Sequence, residues 1–257
     1  RGILVHQLLA QLWRKLQTKD ALDALHDDEL ESLLASLARE AIAEMQRAKP
    51  LMLSGRFAEI EVRRLLLLVR EWLDQERKRN FFAVVAVEEK RMLRVGDLEL
   101  SVRLDRVDEI DIGHRIVIDY KTSKPSIQAL IGERPDEPQL PLYLAMTETD
   151  QQAAGIAFAA VKRGEMGFAA LVKESDMLPG IKDFKHVNGC KQYSTWTELV
   201  TAWRENLTKL AAGFCAGDAN VNPKNFPKTC EFCEMQLFCR IHESIAAGAM
   251  GPEQDND

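Results

Sequence analysis

Asp119 and Lys121 stand one residue apart in Ile116-Val117-Ile118-Asp119-Tyr120-Lys121-Thr122. An extended backbone would turn this carboxylate and this amine to the same side. A further carboxylate, Asp105, lies in Val102-Arg103-Leu104-Asp105-Arg106-Val107-Asp108. Two carboxylates beside an ammonium are the parts that phosphodiester hydrolysis at neutral pH requires. The acids can hold a divalent cation that activates water and helps the leaving oxygen, and the amine can orient that water or steady the charge at phosphorus. Alone, the Asp-x-Lys tripeptide fits a solvated edge strand equally well, so the chemistry needs companions.

Companions are present. His6 follows Gly2 in Gly2-x-x-x-His6, Glu88 precedes the Asp105 segment, and Gln139 and Tyr143 share a helical spacing of four. Cys230, Cys233 and Cys239 lie close together near the end, with His242 just beyond them. His6 on its own also reads as a core-edge histidine, because Leu4, Leu8, Leu12 and Leu16 repeat at helical spacing around it.

These residues need elements to position them. The periodicity predicts helices over 2–18, 27–48 and 54–79, forming a helical layer in the first eighty residues. Asp27 and Asp28 suit the positive end of the second helix, and Pro50 stops it. Arg77, Lys78 and Arg79 read as a basic helix terminus rather than a nucleic-acid patch. Alternation then predicts strands over 82–87, 91–95, 98–110 and 114–122, an antiparallel meander with turns at Gly96-Asp97 and at 108–114. A short helix over 126–131, a helix over 137–146 opened by Pro138, and strands over 155–162 and 167–173 follow. The last long helix spans 195–216, capped by Ser194 or Thr195, with Leu199, Trp203, Leu207, Leu210 and Phe214 as its buried stripe. Residues 248–257 read as a disordered tail. The expectation is one domain over 1–247.

A chain of 257 residues with 46% apolar and 29% charged residues has the balance of a soluble globular protein. The aliphatic run at 65–69 is far too short for a membrane span, and no signal segment opens the chain, so the expectation is a cytoplasmic protein with no membrane partner. The start at Arg1 fits a fragment of something longer. A net charge of −6 argues against nonspecific coating of nucleic acid but leaves room for an acidic metal cluster beside a confined basic groove. Five cysteines, three of them clustered, do not form a disulfide framework and read instead as metal ligands in a reducing compartment.

In order, Gly2-x-x-x-His6, Glu88, Asp105, Asp119-x-Lys121, Gln139-x-x-x-Tyr143 and the cysteine cluster resemble the RecB-like branch of the PD-(D/E)XK nuclease superfamily, over roughly residues 2–242. The resemblance implies an α/β (α+β) restriction-endonuclease-like core: a mixed central sheet flanked by helices, an N-terminal helical layer and a C-terminal Cys-rich segment. It implies that His6, Glu88, Asp105 and Asp119 bind Mg²⁺ or Mn²⁺, that Lys121 is the catalytic lysine, and that Gln139 and Tyr143 contact DNA. Where the family commonly has Gly before its Arg-Ile-Asp, this chain has Val102.

In AddB-like members the three late cysteines join a fourth, upstream one in a 4Fe-4S cluster. That fourth residue would precede this chain. The alternatives are zinc on Cys230, Cys233, Cys239 and His242, or three free thiols. The function implied is a metal-dependent DNA exonuclease domain of an AddB- or RecB-like repair protein working with a helicase. A catalytically silent scaffold or DNA-binding module of the same fold is the competing reading, and cleavage of RNA is a third.

Overall fold

The computed structural model describes residues 2–49, 55–111, 113–147 and 152–246. Helices α1 (Gly2–Leu16), α2 (Lys19–Asp23), α3 (Asp27–Ala48) and α4 (Arg56–Glu76) form the N-terminal layer. Strands β1 (Ala83–Val95), β2 (Leu98–Asp111) and β3 (His114–Lys121) follow, then helix α5 (Gln139–Thr147), strands β4 (Ala153–Ala160) and β5 (Gly167–Val172), and helix α6 (Trp196–Cys215). Two short helices, α7 (Gln236–Cys239) and α8 (Ile241–Ala246), close the described chain. No helix among the described residues is long and apolar enough to cross a membrane.

The five strands form one sheet in the order β1-β2-β3-β4-β5, antiparallel except for the parallel β3–β4 pair. That parallel step requires a crossover, and the segment carrying α5 supplies it. Helices then cover both faces, as expected from the sequence. Alternation along β3 divides the core: Ile116, Ile118 and Tyr120 pack with Leu8, Leu12, Trp13 and Trp72 of the N-terminal layer. Val117 packs with Leu140, Tyr143, Leu199 and Trp203 on the opposite face. Gly155 sits where the β3–β4 register shifts, and a Cβ there would lie 2.9 Å from Val172 and 3.0 Å from the Leu171 carbonyl oxygen, so β5 can approach only a glycine.

Several expectations change. The two strands read at 82–87 and 91–95 are one, β1, because the chain bends at Glu88 without leaving the ladder. The hairpin between β2 and β3 is tighter than 108–114, since the strands run on to Asp111 and from His114. Helix α2 was not foreseen; Thr18 caps it by accepting from the Ala21 amide at 3.2 Å. Thr195 caps α6 as read, but Leu210 and Phe214 are exposed and Ala211 takes the buried position. Arg79 is 4% exposed and turned inward, not part of a basic surface terminus. The tail at 248–257 lies outside the described residues.

Candidate metal and cleavage site

The β2–β3 ladder stops at the Arg106–Ile118 pair, and past it the two strands separate. Asp105 stands at that parting and accepts the Tyr120 amide on Oδ2 at 2.8 Å, so the carboxylate replaces the missing ladder partner. β3 lies between β2 and β4, so Asp119 and Lys121 mark the end of an interior strand, not the solvated edge strand that the bare tripeptide allowed. Asp119 and Lys121 share the face of Val117 by alternation, and Lys121 Nζ meets Asp119 Oδ2 at 3.1 Å.

Glu88 faces Asp105 across the β1–β2 register, between the pairs Val87–Arg106 and Glu89–Leu104. Its φ of 51° is left-handed, a conformation a non-glycine residue adopts only when its surroundings impose it. Glu88 joins the cluster and is paired with Arg103, while Glu89 pairs with Arg91 at 2.7 Å.

The first turns of α1 close the site. His6 Nδ1 lies 3.2 Å from Asp105 Oδ1, and the imidazole stacks edge-on against Tyr120 at 5.9 Å. One atom each of His6, Glu88 and Asp105 fall within 4.8 Å of one another. Asp119 lines the same cavity, about 470 Å³, together with Gly2, Arg103 and Gln139.

The electrostatics report crowded negative charge. Burial, then the Asp105 charge, push the Asp119 carboxyl up to about 6 against the pull of Lys121. Burial would lower the His6 pKa, but the hydrogen bond and charge of Asp105, with the charges of Asp119 and Glu88, raise it. A bound cation would offset this crowding of negative charge. The donor set of carboxylate oxygens plus one imidazole fits Mg²⁺ or Mn²⁺.

A family model for the PD-(D/E)XK nuclease superfamily matches residues 1–240. The chain belongs to that superfamily. The family model covers every residue of the cavity, and the five-stranded sheet flanked by helices is consistent with the PD-(D/E)XK fold. No curated protein matches the chain. Among solved structures, that of SSO0001 is similar at 14% identity and a TM-score of 0.36, over 93% of this chain and 83% of that one.

The other residues read for this PD-(D/E)XK site separate. Gln139 lines the cavity and donates from Nε2 to the Arg103 carbonyl at 2.6 Å, pinning the start of α5 to β2. Tyr143 is fully buried in the second core with Arg91 over its ring at 5.3 Å, so its place is packing rather than the cavity wall. Val102, at the family's glycine position, packs into that same core. Cys230, Cys233 and Cys239 do not converge with one another or with His242 into a metal-sized group among the described residues. Cys233 instead accepts the Met235 amide, and His242 stacks on Phe226. Among the described residues, these side chains as placed do not fit a zinc or iron–sulfur centre.

Two features were not read from the sequence. Glu137 Oε2 lies 3.2 Å from Lys121 Nζ, so the amine is held between two carboxylates and over the Phe158 ring. Behind the site, Arg106 is fully buried and clamps Asp108 at 2.5 and 2.7 Å and Glu76 at 2.7 Å, and it donates to the Tyr120 hydroxyl at 3.1 Å. Arg79 closes this network on Glu76 and Asp108 at 2.7 and 2.8 Å. The Leu-Asp-Arg-Val-Asp segment was the available signal, because its second and third charges alternate with Asp105 onto the opposite face.

Proposed function

We propose that the chain is a divalent-metal-dependent deoxyribonuclease, the exonuclease part of an AddB- or RecB-like repair protein that acts with a helicase in the cytoplasm. The supporting observation is the meeting of His6, Glu88, Asp105 and Asp119 in one cavity, with Lys121 bonded to Asp119. His6, Glu88, Asp105 and Asp119 would hold Mg²⁺ or Mn²⁺. When bound, the cation lowers the pKa of a water and offsets charge on the leaving oxygen.

Lys121, fixed between Asp119 and Glu137, stands where an ammonium can orient the attacking water and stabilise the phosphorane. Water oxygen forms the new bond to phosphorus and gives up a proton to solvent, the P–O bond to the departing strand breaks, and the departing oxygen takes a proton from solvent. Gln139 holds the start of α5 at the cavity wall where a strand would enter. One such group among the described residues implies that one strand is cut at a time.

The nuclease reading and the silent-scaffold reading divide on metal. Calorimetric titration with Mn²⁺ should show a site in the wild type that weakens at least tenfold in Asp105→Asn, alongside Mn²⁺-dependent cleavage of labelled DNA by the wild type. Neither saturable binding nor cleavage in the wild type would leave the scaffold reading standing.

A further inference from the structure

Next to the acidic cavity lies a second one of opposite character, about 390 Å³ in volume, between α4 and the turn joining β4 to β5. Arg64, Lys162 and Arg163 line it with Thr122 and Val161, and no acidic residue among the described residues does so. In a chain of net charge −6, three cations gathered on one concave wall are a local exception. Arg64 is held in place by Glu61 at 2.6 Å, and Lys162 by Glu165 at 2.9 Å, both from outside the lining. Arg163 is exposed in the turn.

The two cavities adjoin. Gly2 belongs to the wall of the acidic one and Thr122 to the wall of the basic one, and a Cβ on Gly2 would lie 3.6 Å from Thr122 Oγ1. Thr122 directly follows Lys121, and the Val161 amide donates to the Lys121 carbonyl at 2.8 Å, so the same strand ends that carry the amine carry the basic wall. Exposed Leu67 of α4 adds apolar surface to the lining.

We infer that the basic cavity is the track for the phosphate backbone of the polynucleotide strand on one side of the cut, gripped by Arg64, Lys162 and Arg163 after it crosses the Gly2–Thr122 saddle. This rests on the nuclease reading and adds to it a path with a direction. Cations on a groove wall track a backbone without reading bases, and their loss shows in affinity and in its salt dependence.

The test uses a fluorescein-labelled 20-nucleotide single strand, with affinity read by anisotropy in EDTA at several salt concentrations. Arg163→Glu should weaken binding about fivefold and flatten the salt dependence by about 0.7 in slope, the share of one phosphate contact on a single strand. Adding Lys162→Ala should weaken it further. Lys209→Glu, an equal charge change on exposed α6, sets the effect of net charge alone and should move binding less than twofold. If the wild type cuts the strand in Mn²⁺ but Arg163→Glu binds no worse than Lys209→Glu, the track is wrong and the nuclease reading stands. If the wild type neither binds nor cuts the strand, both fall.

Discussion

The backbone at Glu88 shows what the site costs. A left-handed φ on a residue with a Cβ is worth about 1–2 kcal/mol of strain. Glu88→Gly removes the strain together with the carboxylate, so it should lower Mn²⁺ affinity at least tenfold while leaving the denaturation midpoint equal to the wild type or higher. A clear loss of stability would mean that the side chain, not the metal site, dictates the bend. Asp119 permits a test by pH. Its folded pKa of about 6 lies above the ordinary 3.8, so its contribution to stability is full below 3.8 and is lost as pH rises through about 6. Asp119→Asn, uncharged throughout, should therefore raise stability relative to wild type in urea unfolding in EDTA at pH 8, by up to about 3 kcal/mol, and by only about a third of that at pH 4.5. A pH-independent difference would contradict the crowding argument. Glu137→Gln frees the amine from one of its two carboxylates and should reduce kcat several-fold more than it changes KM. Little of this was legible at the outset: Asp119-x-Lys121 is visible as spacing, but Glu137 reaches Lys121 from sixteen residues away through an irregular segment, which periodicity does not encode.

At the scale of elements, the site depends on how β2 and β3 part and on what lies behind them. Arg106 and Tyr120 point away from the cavity by strand alternation, yet each is bonded to a neighbour of a site residue. The fully buried set of Arg106, Asp108, Glu76 and Arg79 is net neutral and joins α4 to β2, with Arg106 stacked over Trp13 at 4.1 Å to include α1. Arg106→Ala would leave two buried carboxylates sharing Arg79 alone and should cost about 3–5 kcal/mol in urea unfolding. Tyr120→Phe, losing one hydroxyl bond, should cost about 1 kcal/mol. A cost below 1 kcal/mol for Arg106→Ala would show that the network does not hold these elements together. Element identity was readable where the signal is local: Thr195 caps α6, and Gly96-Asp97 turns β1 into β2. It failed where partners are distant. Arg79 looks like a favourable helix terminus until Asp108 arrives from another element to take it inside. The α6 stripe runs past the surface that covers it, which leaves Leu210 and Phe214 exposed.

For the whole molecule, the order of elements was readable and convergence was not. Alternating periods predicted a sheet between helical layers, and the motif order predicted the superfamily, because both are properties of the chain as written. Which charges meet is a property of register: one residue's shift of β1 would turn Glu88 away from Asp105. The cysteines illustrate the converse, since close spacing at Cys230, Cys233 and Cys239 did not gather them into a metal-sized group among the described residues. Charge is organised at this scale as well, with acids concentrated around one cavity and cations lining its neighbour in a chain of net charge −6. The central claim is that cleavage occurs where these carboxylates meet Lys121. Single-turnover cleavage of end-labelled DNA in Mg²⁺ and in Mn²⁺, by the wild type and by Asp119→Ala and Lys121→Ala, tests it most directly. The account predicts cutting by the wild type in at least one metal, none in EDTA, and rates reduced at least about a hundredfold in both variants; wild-type rates in either variant would contradict it.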